Sequence, residues 1–186
     1  NPKNIFESDI KREIANFKTG EKYTLQGGKD MTFLEDDVKK IAEICSQSSV
    51  YEMLFRKMLN GREYTKEDAE NFLKKVKQGW EEQNFFVFYV RKTDGEIIGA
   101  IDIKSPDFDR AEIGYWADEN YSGFMTNTLN ELSNLAKEVG YKQLYAGVKS
   151  ENDKSIGVLE RAGFKKSGKT MRNEYDIGYV YEKNLD

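Results

Sequence analysis

The sequence of 186 residues contains no histidine and a single cysteine, which limits the chemistry that it can perform. Histidine is the commonest general base, so Ser-His and Cys-His nucleophile pairs are excluded. Histidine-based zinc sites are excluded too, and we expect no metal cofactor. Cys45 shares an apolar helix face with Ile41 and Ile44, which predicts a buried thiol. Catalysis must therefore use carboxylates, hydroxyls, backbone amides or the substrate itself.

Composition narrows the class of protein further. Hydrophobic residues make up 38% and charged residues 33%, which is typical of a soluble globular protein. No run approaches the roughly 20 apolar residues of a membrane span, and residues 1–14 show no apolar signal-peptide core. We therefore predict a cytoplasmic protein with no membrane partner. The net charge of −4 argues against nucleic acid as the main partner.

The N-terminal part of the chain is predicted to be mainly helical. The length of the whole chain suits one domain over residues 1–186. Within it, residues 1–20 are predicted to form a helical extension. Weak strand signals surround Gly27-Gly28. Acidic residues open a periodic apolar pattern over Glu35 to Gln47, which predicts a helix. A helical hairpin follows, and its later arm starts at Thr65, where Asp68 completes a capping-box spacing.

Strands dominate the rest of the chain. An apolar run on both faces and a hairpin turn at Asp94-Gly95 indicate strands that pair in a sheet. The predicted order is strands over 85–91, 96–104 and 110–117, a helix over 124–139, a strand over 142–148, a helix over 153–161, a strand from 163 and a strand over 173–182. This order predicts a mixed α/β layer fold, an α+β mixed sheet flanked by helices.

Four stretches of this region resemble the GNAT superfamily of N-acetyltransferases, closest to its RimJ/RimL branch, which acetylates protein N-termini and other amines. They are FYVRKTDGEIIGAIDI, AEIGYWADENYSGFMTNTLN, VKSENDKSIGVLERAGF and YDIGYVYEK. Together they cover about Phe85 to Lys183. The resemblance implies a sheet of about seven strands with a V-shaped split between two central parallel strands. It also implies acetyl-coenzyme A (acetyl-CoA) as co-substrate.

The loop before the helix over 124–139 is similar to the superfamily's phosphate loop, Q/R-x-x-G-x-G/A. Gly123 stands where a glycine is needed, whereas Asn120 and Met125 depart from the pattern. Free amides at a helix N-terminus favour an anion. The resemblance therefore implies that backbone groups of this loop hold the pyrophosphate of coenzyme A, with the residues Ser122, Gly123, Phe124, Met125 and Thr126. The alternative is a simple capping turn before the helix.

The strand over 110–117 is expected to contact the acetyl-bearing arm of the cofactor. Alternation places Glu112, Gly114 and Trp116 on one face. The resemblance implies that the cofactor arm pairs with exposed backbone groups of Trp116, Ala117 and Asp118. Glu112 is the predicted general base, because an ammonium acceptor must lose a proton before it attacks the thioester. The alternative is a solvated strand glutamate paired with Lys104 or Arg110.

The short helix over 153–161 carries the N-x-x-S of the RimJ/RimL branch as Asn152 and Ser155. Asn152 is predicted either to contact the cofactor arm or to cap the helix. The tyrosine that many relatives carry one turn later is replaced by Leu159. Ser155 is therefore predicted to contact the cofactor and to donate a hydrogen bond to the departing thiolate.

These features predict direct acetyl transfer from acetyl-CoA to a primary amine, either a protein N-terminus or a small molecule, without a covalent enzyme intermediate. Two alternatives remain open. A non-catalytic domain that binds acyl-CoA or a partner protein would explain the departures in the phosphate loop. An aminoglycoside-modifying enzyme would need clustered carboxylates, for which Glu35-Asp36-Asp37 and Glu81-Glu82 are the available runs. The acceptor is left undetermined, and so is the oligomeric state, with a homodimer compatible with the sequence.

Overall fold

Eight strands form one mixed sheet in the computed structural model, which describes residues 4–172 and 177–186. The spatial order is β1-β2-β3-β4-β5-β6-β8-β7, and only the β5–β6 pair among these is parallel. The strands are β1 Ile10–Ala15, β2 Lys22–Gly27, β3 Phe86–Arg91, β4 Ile97–Ile103, β5 Ala111–Ala117, β6 Gln143–Lys149, β7 Lys165–Arg172 and β8 Ile177–Asn184. The mixed α/β fold is thus confirmed, with one strand more than the roughly seven expected. The predicted last strand began at Asn173, and residues 173–176 lie outside the described residues.

The additional strand is β1, which replaces the helix expected near the N-terminus. Ile10 and Ile14 are buried, and the strand pairs antiparallel with β2 along its whole length. A spacing of four residues places two side chains on one face of either a helix or a strand. The apolar pattern was therefore ambiguous, and the pairing with β2 decides the outcome.

Apart from the helix expected over residues 1–20, the helices lie close to where the sequence places them. They are α1 Glu35–Ser46, α2 Ser48–Val50, α3 Lys66–Glu82, α4 Met125–Val139 and α5 Asp153–Arg161. A π-helical turn over Tyr51–Phe55 continues α2 directly. Thr65 caps α3 as predicted, because its Oγ1 accepts from the Asp68 amide and the Asp68 carboxylate accepts from the Thr65 amide. Within the described part of the chain, no helix has both the length and the apolar character to cross a bilayer.

Aromatic side chains fill the core between the sheet and the helices. Phe6, Trp80, Phe86 and Phe88 meet edge to face, with ring centroids 5.0–6.0 Å apart. Cys45 is also buried, as predicted, and its burial raises the pKa of the thiol to about 12. A thiol with such a pKa is a poor nucleophile at neutral pH.

The two parallel strands separate soon after they begin. Partners in the β5–β6 ladder are limited to Ala111 with Leu144 and Glu112 with Tyr145. Beyond these pairs the strands diverge, and their backbone groups no longer pair across the gap. The V-shaped split expected between the central parallel strands is therefore present.

Candidate active site

A cavity of about 290 Å³ occupies the split between β5 and β6. Its walls come from both strands, from α5, and from α2 with the π-helical turn and the residues that follow it. Five residues expected from the sequence to bind the cofactor line this cavity: Trp116, Ala117, Met125, Asn152 and Ser155. The lining from β5 starts at Ile113, so Glu112 precedes the first lining residue of this strand and is not itself part of the lining. The rest of the predicted phosphate loop lies outside it, beyond the end of β5.

The backbone of β5 presents alternate residues to the split. The Asp118 amide donates to the Ile98 carbonyl at 2.7 Å, and the Glu112 carbonyl accepts from the Lys104 amide at 2.8 Å, both on the β4 side. Because strand groups alternate in direction, Trp116 also faces β4, whereas Ala117 faces the split. Of the three backbone positions expected to pair with the cofactor arm, Ala117 alone is oriented for it. The Asp118 amide is bonded to β4 and is therefore not free to pair with the cofactor arm. Trp116 lines the cavity, and its contact with the cofactor stays a prediction.

Asp118 instead holds the loop after β5 in place. Its carboxylate is fully buried and lies 2.9 Å from the Lys40 ammonium and 2.9 Å from the Gln47 amide, both on the α1 side. It also accepts from the Asn120 backbone amide at 3.0 Å. Burial opposes ionisation, but the hydrogen bonds from Gln47 and Lys40 prevail and lower the pKa of Asp118. The side chain is therefore a structural anchor.

The predicted phosphate loop ends in a helix N-terminus that lacks a side-chain cap. Phe124 is the N-cap residue of α4, and its side chain makes no capping bond. Ser122 does not cap the helix, so the alternative of a capping turn is not realised. Free backbone amides at a helix N-terminus favour an anion, so this end of α4 is compatible with the predicted phosphate site. Met125 is buried, with 5% of its surface exposed, and it also lines the cavity.

A turn between β1 and β2 packs against this loop, and sequence reasoning missed it. The Asn16 side chain donates to the Ser122 carbonyl at 2.8 Å, and the Phe17 amide donates to the Gly123 carbonyl at 2.9 Å. Gly123 has φ of +92°, and a Cβ there would lie 2.4 Å from Asn16 Oδ1. The glycine is thus required by both conformation and space.

A cation, Arg161, lies near the start of α4. Arg161 Nε donates to Thr126 Oγ1 at 3.2 Å, and its guanidinium lies 5.0 Å from the centroid of the Phe17 ring. A guanidinium beside uncapped helix amides adds positive charge where the phosphate loop is predicted. Arg161 directly precedes the Ala-Gly-Phe sequence at 162–164, and nothing in the sequence alone indicated a role for it in the phosphate loop.

The start of α5 brings two hydroxyl groups together. Asn152 caps the helix, since its side-chain oxygen accepts from the Ser155 amide at 3.2 Å. The capping alternative for Asn152 is therefore confirmed, although the residue also lines the cavity. Ser155 Oγ lies 2.5 Å from the Tyr115 hydroxyl, and Leu159 is buried one turn later. The phenol near Ser155 thus comes from β5.

Glu112 shares its face of the sheet with a second carboxylate. Asp102 accepts from the Gly114 amide at 3.0 Å and lies 3.2 Å from the Lys104 ammonium. Burial raises the pKa of Asp102, and the negative charge of Glu112 acts in the same direction. Arg110 pairs with Glu182 at 3.1 Å. The two cations considered as partners of Glu112 therefore lie against other carboxylates.

Among residues 4–172 and 177–186, no group of three or more acidic or cysteine side chains is placed to hold an ion.

Known proteins with a similar sequence or fold bear on this site. The sequence model of a family described as "Acetyltransferase (GNAT) domain" matches residues 32–165. An uncharacterised protein of Methanocaldococcus jannaschii, MJ1062, is 29% identical over 91 residues. That match covers 47% of this chain and 18% of the relative, so the chain spans less than a fifth of the relative's length.

Several solved structures share the fold. RimJ of Mycobacterium smegmatis, in complex with CoA-disulfide, has a TM-score of 0.73 at 16% identity, covering 95% of this chain and 88% of that one. Ribosomal-protein-S5-alanine acetyltransferase of Vibrio fischeri has a TM-score of 0.68 at 21% identity, covering 96% of this chain and 98% of that one. Spermidine N-acetyltransferase of Vibrio cholerae, in complex with CoA and spermine, has a TM-score of 0.66 at 15% identity, covering 88% of this chain and 95% of that one. At these identities the likeness concerns the fold. The family match extends over most of the chain and includes the split strands and the loop before α4, and the chain belongs to the GNAT acetyltransferase family.

Proposed function

We propose that this chain, acting as a single domain, transfers the acetyl group of acetyl-CoA directly to a primary amine. The observation that carries the proposal is the divergence of β5 and β6 around a cavity after two residue pairs. An extended acyl arm can enter this gap and pair with the split-facing backbone of Ala117. Uncapped amides of α4, together with Arg161, supply positive charge for the pyrophosphate. Structures with this fold have been solved in complex with CoA-disulfide and with CoA and spermine, which supports coenzyme A as the ligand class.

In the proposed reaction, Glu112 accepts a proton from the acceptor ammonium. The neutral amine then attacks the thioester carbonyl, whose π electron pair moves to oxygen, and the nitrogen of the resulting tetrahedral intermediate loses its second proton to solvent. When the C–S bond breaks, its electron pair moves to sulfur, and Ser155 stabilises the thiolate by a hydrogen bond. The absence of histidine and the burial of Cys45 favour this direct route over a covalent enzyme intermediate.

Binding of acetyl-CoA is expected to stabilise the folded chain. A ligand that binds only the native state adds roughly 2.7 kcal/mol at a hundredfold excess over its dissociation constant. The measurement is a thermal melt with and without millimolar acetyl-CoA, followed by assay of coenzyme A release with a panel of amines. A melting temperature that acetyl-CoA leaves unchanged would contradict the proposal. Stabilisation without turnover on any amine would favour the non-catalytic acyl-CoA-binding alternative.

The charges around the cavity favour an acceptor with one amine over a polycation. Among the described residues that line it, Glu52 is the single carboxylate and already pairs with Arg56 at 2.8 Å, and the other charged lining residues are Lys57, Lys149 and Lys154. The acidic runs considered for an aminoglycoside site lie elsewhere, since Asp37 pairs with Arg91 and Glu35 pairs with Lys66. Like charges near a cavity disfavour a polycationic substrate.

A peptide with a free N-terminal amine is therefore expected to be a better acceptor than spermidine or an aminoglycoside. We expect a kcat/KM at least about tenfold higher for the peptide, which corresponds to one unfavourable charge contact of about 1.4 kcal/mol. Coenzyme A release with matched concentrations of the three amines measures the ratio. Equal or better turnover of spermidine would contradict the peptide assignment and leave acetyl transfer itself intact.

A further inference from the structure

A hydrogen bond between the side chains of Tyr115 and Ser155 joins β5 to α5. The two hydroxyl oxygens are 2.5 Å apart, at the short end of the O–H···O range. The phenol oxygen also lies 3.3 Å from the Ser155 carbonyl oxygen. Both side chains line the cavity in the split. The pair is thus placed where the thioester sulfur is expected under the proposed function.

The phenol has one hydrogen and two acceptors within reach, Ser155 Oγ at 2.5 Å and the Ser155 carbonyl oxygen at 3.3 Å. A phenol is more acidic than a serine hydroxyl and hence the better donor, so its hydrogen is assigned to the nearer oxygen, Ser155 Oγ. With the phenol donating, the Ser155 oxygen accepts, and its own hydrogen is free to point into the cavity. In the reverse arrangement the serine hydroxyl would donate its hydrogen to the phenol oxygen and could not direct it into the cavity.

Burial keeps the phenol in the donor form. It raises the pKa of Tyr115 to about 12, so the group stays protonated throughout the neutral range. A phenol with this pKa is a poor source of a proton for a thiolate, whose conjugate acid has a pKa near 8.5 in a model thiol. Tyr115 can therefore orient a neighbouring group but does not deliver its proton.

We infer that Tyr115 is a positioning residue for Ser155, a role that rests on the proposed acetyl transfer and deepens it. The phenol donates to Ser155 Oγ and thereby directs the serine hydrogen at the sulfur of the departing coenzyme A. When the C–S bond breaks, the electron pair goes to sulfur and the serine hydroxyl stabilises it by a hydrogen bond. No proton leaves the tyrosine, and solvent later protonates the thiolate.

The competing role for Tyr115 is structural, because the bond also joins β5 to α5. The chain offers a matched control for that role. The Tyr181 hydroxyl, on β8, donates to the Glu160 carboxylate of α5 at 3.2 Å, so it too ties the sheet to this helix. Tyr181→Phe removes a tie of the same kind at a residue outside the cavity lining.

The test measures the pKa of the thiol in bound coenzyme A and needs no acceptor. Thiolate absorbance is followed over pH for coenzyme A on the wild type, Tyr115→Phe, Ser155→Ala, the double variant and Tyr181→Phe. The wild type is expected to lower the thiol pKa by about one pH unit relative to free coenzyme A, a tenfold change in acidity. Tyr115→Phe should abolish most of that change, and the double variant should match Ser155→Ala. Tyr181→Phe should match the wild type.

Three results would overturn the inference: a wild-type value in Tyr115→Phe, an effect of Tyr115→Phe that persists in the Ser155→Ala background, or an equal effect of Tyr181→Phe. A thiol pKa in the wild-type complex equal to that of free coenzyme A would overturn it as well, while turnover still decides the proposed function. Failure of the wild type to bind coenzyme A would overturn both. Turnover provides a second readout, with kcat expected to fall about tenfold and KM for acetyl-CoA unchanged in Tyr115→Phe.

Discussion

Replacing Glu112 with glutamine is expected to lower turnover by about 10² to 10⁴-fold at neutral pH, the usual contribution of a positioned general base. Glutamine keeps the shape of the side chain and cannot accept the proton of an ammonium. Glu112 lies at the paired end of the split, beside the first residue that lines the cavity. Binding of acetyl-CoA should change little, because the expected contacts of the cofactor lie further along β5.

The proposed role of Glu112 also predicts how the loss of turnover in Glu112→Gln changes with pH. As the pH rises toward the pKa of the free amine, more acceptor is already neutral and the base is needed less. The deficit of Glu112→Gln is therefore expected to shrink with rising pH, when initial rates are measured at saturating acetyl-CoA. A constant deficit across pH would indicate a role other than proton acceptance.

Asp102→Asn is the matched comparison, since Asp102 is the other carboxylate on this face. Asparagine can still accept from the Gly114 amide through its side-chain oxygen. The lost pair with Lys104, whose side chain is 40% exposed, is worth at most about 1 kcal/mol. We expect this variant to keep most of its turnover. Loss of turnover in Asp102→Asn with normal rates in Glu112→Gln would transfer the role of base to Asp102.

Local signals in the sequence predicted most of the elements, because they depend on neighbours in the chain. The capping box at Thr65 and Asp68 and the apolar periodicity of α1 are of this kind. β1 was missed because the four-residue spacing of Ile10 and Ile14 fits a helix equally well. Pairing with β2 selects the strand over the helix, and such pairing cannot be predicted from one segment alone.

Contacts within the site were hidden for the same reason. Ser155 and Tyr115 are 40 residues apart, Gln47 and Asp118 are 71 apart, and Asn16 and Ser122 are 106 apart. The resemblance to a family indicated which strand and loop matter. It gave no sign that the Asp118 amide is used by β4 or that Asn16 packs on Gly123. These are consequences of register and close approach, which require the folded chain.

The contact with Asn16 changes what substitution of Gly123 should do. If Gly123 served the phosphate loop alone, a bulkier residue here would weaken cofactor binding more than folding. In the structure, Gly123 has φ of +92°, and an added Cβ would lie 2.4 Å from Asn16 Oδ1 and 3.1 Å from Lys18 Cγ. Asn16 is buried and also accepts from the Lys18 amide at 2.9 Å. Gly123→Ala should therefore disturb the fold as well as the loop.

Gly95 provides a control with the same backbone conformation. Its φ is also +92°, but an added Cβ meets nothing within 4 Å. Gly95→Ala is expected to lower the free energy of unfolding by about 1–2 kcal/mol, the usual cost of a left-handed conformation. Gly123→Ala carries this cost and the displacement of Asn16, for which each lost hydrogen bond adds about 1 kcal/mol. We expect a total of about 3 kcal/mol or more.

Denaturant unfolding and binding of acetyl-CoA, measured on both variants, test this expectation. Gly95→Ala should bind acetyl-CoA like the wild type, whereas Gly123→Ala should bind it more weakly, because the loop that carries the first-turn amides of α4 must move. In an Asn16→Ala background the obstructing oxygen is gone, so the additional cost of Gly123→Ala over Gly95→Ala should largely disappear. Equal destabilisation by the two glycine substitutions in the wild-type background would show that backbone conformation alone is responsible. Asn16 would then have no part in shaping the phosphate loop.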